Sequence, residues 1–198
     1  MIYQKCIKRM LAFTLALLGA ILLSPVFMVL AVCIKLDSRG PIFFKQRRIG
    51  KGEADFYILK FRTMKIDTPK DMPTHLLEDP ESYITNIGKF LRKTSLDELP
   101  QIINIIKGEM NIIGPRPALW NQYDLIEERE KYGANNIVPG LTGWAQINGR
   151  DELPIEVKAS LDGEYINRTS FIFDTQIFFK TILSVLKREN VKEGASEK

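Results

Sequence analysis

Leu11 to Ile34 reads LAFTLALLGAILLSPVFMVLAVCI, 24 residues without a charge. As a straight helix this run would be roughly 36 Å long, enough to cross the hydrocarbon core of a bilayer. Its centre argues against a straight rod. Pro25 lacks an N–H and its ring clashes with the carbonyl four residues back, so Ser24-Pro25 predicts a kink or a break. The Ser24 hydroxyl is placed to bond a carbonyl that the proline frees. Residues 11–23 and 26–34 then form two half-helices of roughly 14–20 Å each.

Outward from the run, both flanks are basic: Lys5, Lys8 and Arg9 precede it, and Lys35, Arg39, Lys45, Arg47 and Arg48 follow. A spanning helix is expected to leave one flank poor in Lys and Arg. A re-entrant helix-break-helix enters one leaflet and returns to the same face. It accounts for the proline and for both flanks, whose cations would snorkel to one headgroup layer. A kinked spanning helix remains an alternative. So does a cleaved signal peptide, though the run is long for one and lacks an A-x-A site.

With 198 residues, 45% hydrophobic and 26% charged, the chain suits one domain with an appendage. That excludes a disordered tail and a multi-span transporter. Net charge is +4, but residues 1–51 hold nine Lys and Arg against Asp37 alone. A basic collar around apolar sequence points to an anionic membrane surface, not to nucleic acid. Cys6 and Cys33 give no disulfide framework. His75 is the single histidine and lies in a polar, proline-punctuated loop over 67–82, so a Cys/His zinc site is excluded. Histidine-based nucleophilic catalysis is excluded too, unless His75 is the base. Any metal should be bound by carboxylate oxygens, which points to Mg2+, with Mn2+ as the alternative.

Further along, the pattern predicts short strands at 42–44 and 56–61 around a Gly50–Glu53 turn. It predicts a helix carrying Ile84, Ile87, Phe90 and Leu91, and another closed by Gly108. A short strand and rigid turn are expected over 109–118, a polar helix over about 119–132, and turns over 138–150. An amphipathic helix is expected from Phe171 to Arg188, packed on the core or lying in the membrane interface. The expected class is α+β, in three parts. These are a re-entrant membrane segment over 1–36, a small mixed, mainly helical catalytic domain over 37–188, and a polar tail over 189–198.

Adjacent acids, Asp97 and Glu98, are the first candidates for chemistry. Ser95-Leu96-Asp97-Glu98 reads as a capping box, Ser95 at the N-cap and Glu98 at N3. That choice leaves Pro100 awkwardly inside a helix. The other reading sets both acids on a turn before a helix that starts near Pro100. Arginines beside turns come next: Arg62, Arg92, Arg116 and Arg150. Arg116 stands between Pro115 and Pro117 on a backbone that is already set, and guanidinium forks suit phosphate oxygens.

SRGPIFFKQRRIG (38–50), KFRTM (60–64), TSLDELPQ (94–101), KGEMNIIGPRP (107–117), PGLTGWAQINGR (139–150) and FDTQI (173–177) together resemble the monotopic phosphoglycosyl transferases of the bacterial sugar transferase family. The resemblance runs from about residue 5 to about residue 188. Ser24-Pro25 stands where that family has its re-entrant helix break. The resemblance implies transfer of a sugar-1-phosphate from a UDP-sugar to a polyprenol phosphate such as undecaprenyl phosphate. UMP leaves in this first membrane step of glycan assembly. It implies Asp97 as nucleophile and Glu98 as metal ligand; Lys60, Arg62, Arg92, Arg116, Pro117 and Arg150 are the candidate substrate-binding residues. It also implies the bacterial inner membrane, with the catalytic domain on the cytoplasmic face. The family commonly has Arg or Lys just before PGxTG; here Val138 stands there. Two rivals remain on residues alone: a membrane-anchored scaffold and another metal-dependent lipid-phosphate enzyme.

Overall fold

The computed structural model describes residues 3–68, 79–149 and 153–187. His75, Arg150 and the 189–198 tail lie outside them. A π-helical turn at Tyr3–Ile7 leads into helix α1 (Lys8–Leu22), and α2 (Ser24–Asp37) follows at once. The two axes meet at 62°. The break falls on Leu23, one residue before Ser24-Pro25, because Pro25 takes the first turn of α2, where no N–H is missed. Ser24 Oγ donates to Ile21 O at 2.8 Å, the carbonyl four residues before Pro25. No single described helix is long and apolar enough to cross a membrane; the bent pair passes that test only together. Its outer face is openly apolar, with Leu18, Ile21, Leu22, Met28, Val29 and Leu36 exposed.

Strands β1 (Phe43–Ile49) and β2 (Asp55–Phe61) form an antiparallel hairpin, Phe43 opposite Phe61. β1 runs well past the expected 42–44; its residues alternate between exposed and half-buried, as in a strand with one covered face, although its sequence FFKQRRI does not alternate apolar with polar. Period-2 geometry sends Phe56 and Ile58 to one face, and Lys60 shares it. Phe56 and Ile58 pack with Ala12 and Ala16 of α1 and with Ile105 and Met110. Leu30 and Ile34 of α2 join Phe61 and Leu91 in a second cluster. The membrane-type helices are thus part of the core and not a loose tether.

α3 (Pro80–Tyr83) and α4 (Asn86–Lys93) come next. Thr85 caps α4 by accepting from Gly88 N, and Asp37 at the end of α2 accepts from Ile87 N at 3.1 Å. A 3-10 turn, Leu96–Glu98, precedes α5 (Gln101–Lys107), which ends at Gly108 with φ 95°. Then follow β3 (Asn111–Ile113), α6 (Tyr123–Glu130), β4 (Gly140–Thr142), α7 (Trp144–Ile147), α8 (Ile155–Arg168) and α9 (Phe171–Lys187). β3 and β4 pair in parallel around α6, so 138–150 holds a strand and a helix where only turns were expected. Among the described residues the architecture is helix-rich and mixed, with two two-stranded sheets.

Glycine is required where these strands meet. A Cβ on Gly114 would stand 2.8 Å from Val138 O and 2.9 Å from Gly140 N. Gly140 and Gly143 face Gly114 just as closely, so GPRP and PGLTG are two sides of one backbone contact.

Two flanking cations are not where the sequence put them. Lys8 and Arg9 were expected to reach a headgroup layer. Instead Arg9 donates to Ile105 O at 2.6 Å and Ile106 O at 3.2 Å, closing the C-terminal end of α5. Lys8 pairs with Asp174 of α9 at 3.0 Å, with side chains only 11% and 8% exposed. Tyr3 and Tyr165 hydroxyls donate to the same carboxylate at 2.6 and 2.8 Å. Burial, and then Asp174, push the Tyr165 phenol far above its usual range, so it stays a donor. Asp174 therefore ties α1, α8 and α9 together. Asp174→Asn should leave Lys8 buried without its counter-charge and destabilise the fold by about 3 kcal/mol. Thermal melting in detergent reads this as a lowered Tm; an unchanged Tm would contradict it.

Candidate active site

Asp97 and Glu98 sit on the 3-10 turn before α5. Ser95 adopts a left-handed backbone, φ 55°, and its side chain caps nothing, which overturns the capping-box reading. Pro100 takes the N-cap place of α5, so the helix starts after the acids and not around them. A non-glycine residue in that region stores modest strain, held here by the turn from α4. The acids are freed from capping duty and turned towards β2.

Lys60 Nζ lies 2.7 Å from Glu98 Oε1 and 3.7 Å from Asp97 Oδ2. Arg116 Nη2 reaches Glu98 Oε1 at 3.3 Å. Both contacts fall on Oε1; among the described residues Glu98 Oε2 has no partner. Arg92, in the last turn of α4, is anchored by Nε on Thr63 Oγ1 at 3.1 Å and lies near enough to favour the Asp97 carboxylate. Lys60, Arg92 and Arg116 thus surround two carboxylates, an excess of positive charge that suits a phosphate-bearing ligand. Pro117 holds the loop to the hairpin, its carbonyl accepting from Arg48 Nη1 at 3.0 Å.

The two acids differ electrostatically. Burial pushes the Asp97 carboxyl above its ordinary range, against the pull of Lys60, and Glu98 pushes the same way. Burial acts on Glu98 as well, but Lys60 and Arg116 outweigh it and hold that carboxyl well below the usual range. One group is a basic, loosely held carboxylate, and the other is a fixed negative charge.

Arg62 does not join them. It is 5% exposed and donates to Ser38 O at 2.7 Å, Ser38 Oγ at 2.9 Å and Arg39 O. Its guanidinium closes the end of α2, a use that the KFRTM segment gave no sign of. Val138 is half-buried beside Gly114, so no cation projects from this position. Asn104 was missed; its side chain makes three hydrogen bonds, to Leu59 N, Tyr57 O and Glu109 Oε2.

No group of three or more His, Cys, Asp or Glu suited to a metal occurs among the described residues. The acids present fit Mg2+ as one or two protein carboxylates completed by substrate phosphates and water, the arrangement that ion prefers. Glu98, held ionised with Oε2 unpartnered, is the ligand that fits.

Arg116→Lys keeps the charge and loses the fork. Its expected cost is about 10- to 100-fold in turnover, the value of a hydrogen bond to a charged group. Full activity in a folded Arg116→Ala protein would return Arg116 to the surface.

The sequence profile of bacterial sugar transferases matches residues 3–188. The uncharacterized sugar transferase EpsL of Bacillus subtilis is 36% identical over 187 residues, covering 94% of this chain and 91% of that protein. The UDP-glucose:undecaprenyl-phosphate glucose-1-phosphate transferase of Escherichia coli is 41% identical over 188 residues, covering 90% of this chain and 40% of that protein. The transferase of the same name from Xanthomonas campestris is 36% identical, covering 93% and 39%. The chain thus spans about two fifths of the latter two. This chain belongs to the bacterial sugar transferase family and is an enzyme of the sugar-phosphate transferase kind.

Proposed function

We propose that this enzyme transfers a sugar-1-phosphate from a UDP-sugar to undecaprenyl phosphate at the membrane, through a phosphosugar bound to Asp97. The observation that carries the reading is the unequal carboxylate pair set among Lys60, Arg92 and Arg116. The names of the E. coli and X. campestris relatives support the donor and acceptor classes.

In the first step an Asp97 carboxylate oxygen attacks the phosphorus that bears the sugar. The bond from that phosphorus to the UMP oxygen breaks, and UMP leaves with the electron pair. Lys60 and Arg116 lower the energy of the charge that develops on the diphosphate. Bound at Glu98, Mg2+ would supply further neutralisation of the diphosphate oxygens. In the second step an undecaprenyl phosphate oxygen attacks the same phosphorus and Asp97 leaves as carboxylate. Two displacements let one small site serve a soluble donor and then a lipid acceptor.

The bent pair α1–α2 is read as re-entrant, with both ends on the cytoplasmic face of the inner membrane. Its 62° bend and exposed apolar face support this, as do exposed Lys35 and Arg39 at its exit. Exposed Ile172, Phe179 and Leu183 on α9 fit the same interface. Replacing Ser24 and Pro25 by Ala and Leu should straighten the pair, favour a spanning topology and lower activity. Cysteines placed at residues 3 and 198 should both resist a membrane-impermeant reagent in intact cells. Labelling of residue 3 alone would show a span.

The reaction is tested by a panel of UDP-sugars with Mg2+ and undecaprenyl phosphate. UMP release from at least one is expected. Inorganic phosphate without UMP would mark a lipid phosphatase, and no UMP from any donor would leave a scaffold.

A further inference from the structure

We infer that Asn104 is a positioning residue for the active site, an amide bracket that fixes β2 against α5 and so holds Lys60 at the Asp97–Glu98 pair. Asn104 is fully buried within α5. Its Oδ1 accepts from Leu59 N at 3.0 Å, and its Nδ2 donates to Tyr57 O at 2.8 Å. Residues 57 and 59 are two apart on β2, so these groups belong to one edge of the strand. β1 covers the other edge. One primary amide thus pairs with the open edge as a neighbouring strand would, and satisfies two backbone groups on a part-buried edge.

The orientation is determined. Nδ2 also donates to Glu109 Oε2 at 2.7 Å. Two acceptors face the nitrogen and one donor faces the oxygen, so a flipped amide would lose all three bonds. Glu109 is delivered by the turn that Gly108 makes. Asn104 O accepts from Glu109 N and Met110 N, which closes the end of α5 over the same residue.

The link to chemistry is short. Lys60 follows Leu59 directly, and the 3-10 turn bearing Asp97 and Glu98 runs into the start of α5. Apolar packing of Phe56 and Ile58 against Ile105 presses β2 onto α5 but does not fix the slide of one along the other. Hydrogen bonds do, because they are directional. A displacement of about 1 Å at a charge that acts on a developing phosphate is enough to cost about 100-fold in rate.

The inference rests on the proposed transferase reaction for one of its two readouts. Asn104→Asp keeps the acceptor for Leu59 N and sets an anion against Tyr57 O and Glu109. kcat for UMP release should fall tenfold or more, with KM for the donor little changed. In a Lys60→Met background the same substitution should cost less than twofold, because the residue acts through Lys60. An equal loss in both backgrounds would make Asn104 merely structural and overturn the inference. The second readout is hydrogen exchange at the Leu59 amide, slow in the wild-type protein and expected to be at least tenfold faster in Asn104→Asp. Equal exchange in the two proteins would overturn the bracket, whatever the reaction proves to be. If Asn104→Asp does not fold, Glu109→Ala removes one of the two acceptors that hold the amide nitrogen and leaves the bonds to β2 in place. It should show a smaller loss with the same dependence on Lys60, and Glu109→Gln should restore activity. Independence from Lys60 there would contradict the inference.

Discussion

Asp97→Asn is expected to lower turnover by roughly 10⁴–10⁶-fold, the scale of losing a covalent nucleophile, in a protein that stays folded. The neutral amide has nearly the shape of the carboxylate but cannot form an acyl phosphate. Folding should hardly notice. Among the described residues Asp97 makes one distant ion pair, 3.7 Å to Lys60, and caps no helix. Burial already disfavours the Asp97 charge, so the neutral amide removes a cost along with that contact. A stabilising cap would show the reverse pattern, with a lowered Tm and near-normal rates. Melting and UMP release measured on the same preparation separate the two.

Glu98→Gln is expected to lower kcat by about 10²–10³-fold, the range seen when one electrostatic contact of a reacting centre is removed. The substitution keeps the volume and one acceptor but removes the charge that Lys60 and Arg116 share. Lys60 then keeps its 3.7 Å contact with Asp97, and Arg116 loses its contact with Glu98. The variant should need more Mg2+ for half-maximal rate, and a Mg2+ titration reads this directly. An unchanged Mg2+ requirement would remove Glu98 from the metal.

Much of this was legible in the sequence because the signals were local. The charge-free run with a central proline gave the bent helix pair, and Gly108 gave the end of α5. Helix α8 was not legible. Its buried positions are Ala159, Asp162, Gly163 and Tyr165, so its inner face carries no apolar period. Tyr165 packs with Ile113, Phe173 and Ile177, and Asp162 pairs with Arg129 at 2.7 Å; an ion pair between distant segments leaves no trace in spacing. Arg62, Lys8 and Arg9 show the same limit. Each looked like a cation for phosphates or lipid headgroups, and each is spent inside the fold, Arg62 and Arg9 on carbonyls and Lys8 on a buried carboxylate. Asn104 was passed over between isoleucines, since a lone buried amide shows its purpose only when a strand edge stands beside it. The Asp97–Glu98 pair was visible, but its freedom from capping depended on the backbone of Ser95, which spacing does not fix.

The central claim is that Asp97 carries the phosphosugar between donor and acceptor. It is tested by mixing the wild-type protein with Mg2+ and the UDP-sugar it uses, with no lipid acceptor, followed by rapid quench and intact-protein mass spectrometry. The account predicts a burst of UMP up to one equivalent and a mass gain of one sugar-phosphate. That gain should map to the peptide holding Asp97, be lost on adding undecaprenyl phosphate, and be absent from Asp97→Asn. UMP release that requires the acceptor from the first turnover, with no mass gain at any time, would show direct transfer and contradict the account.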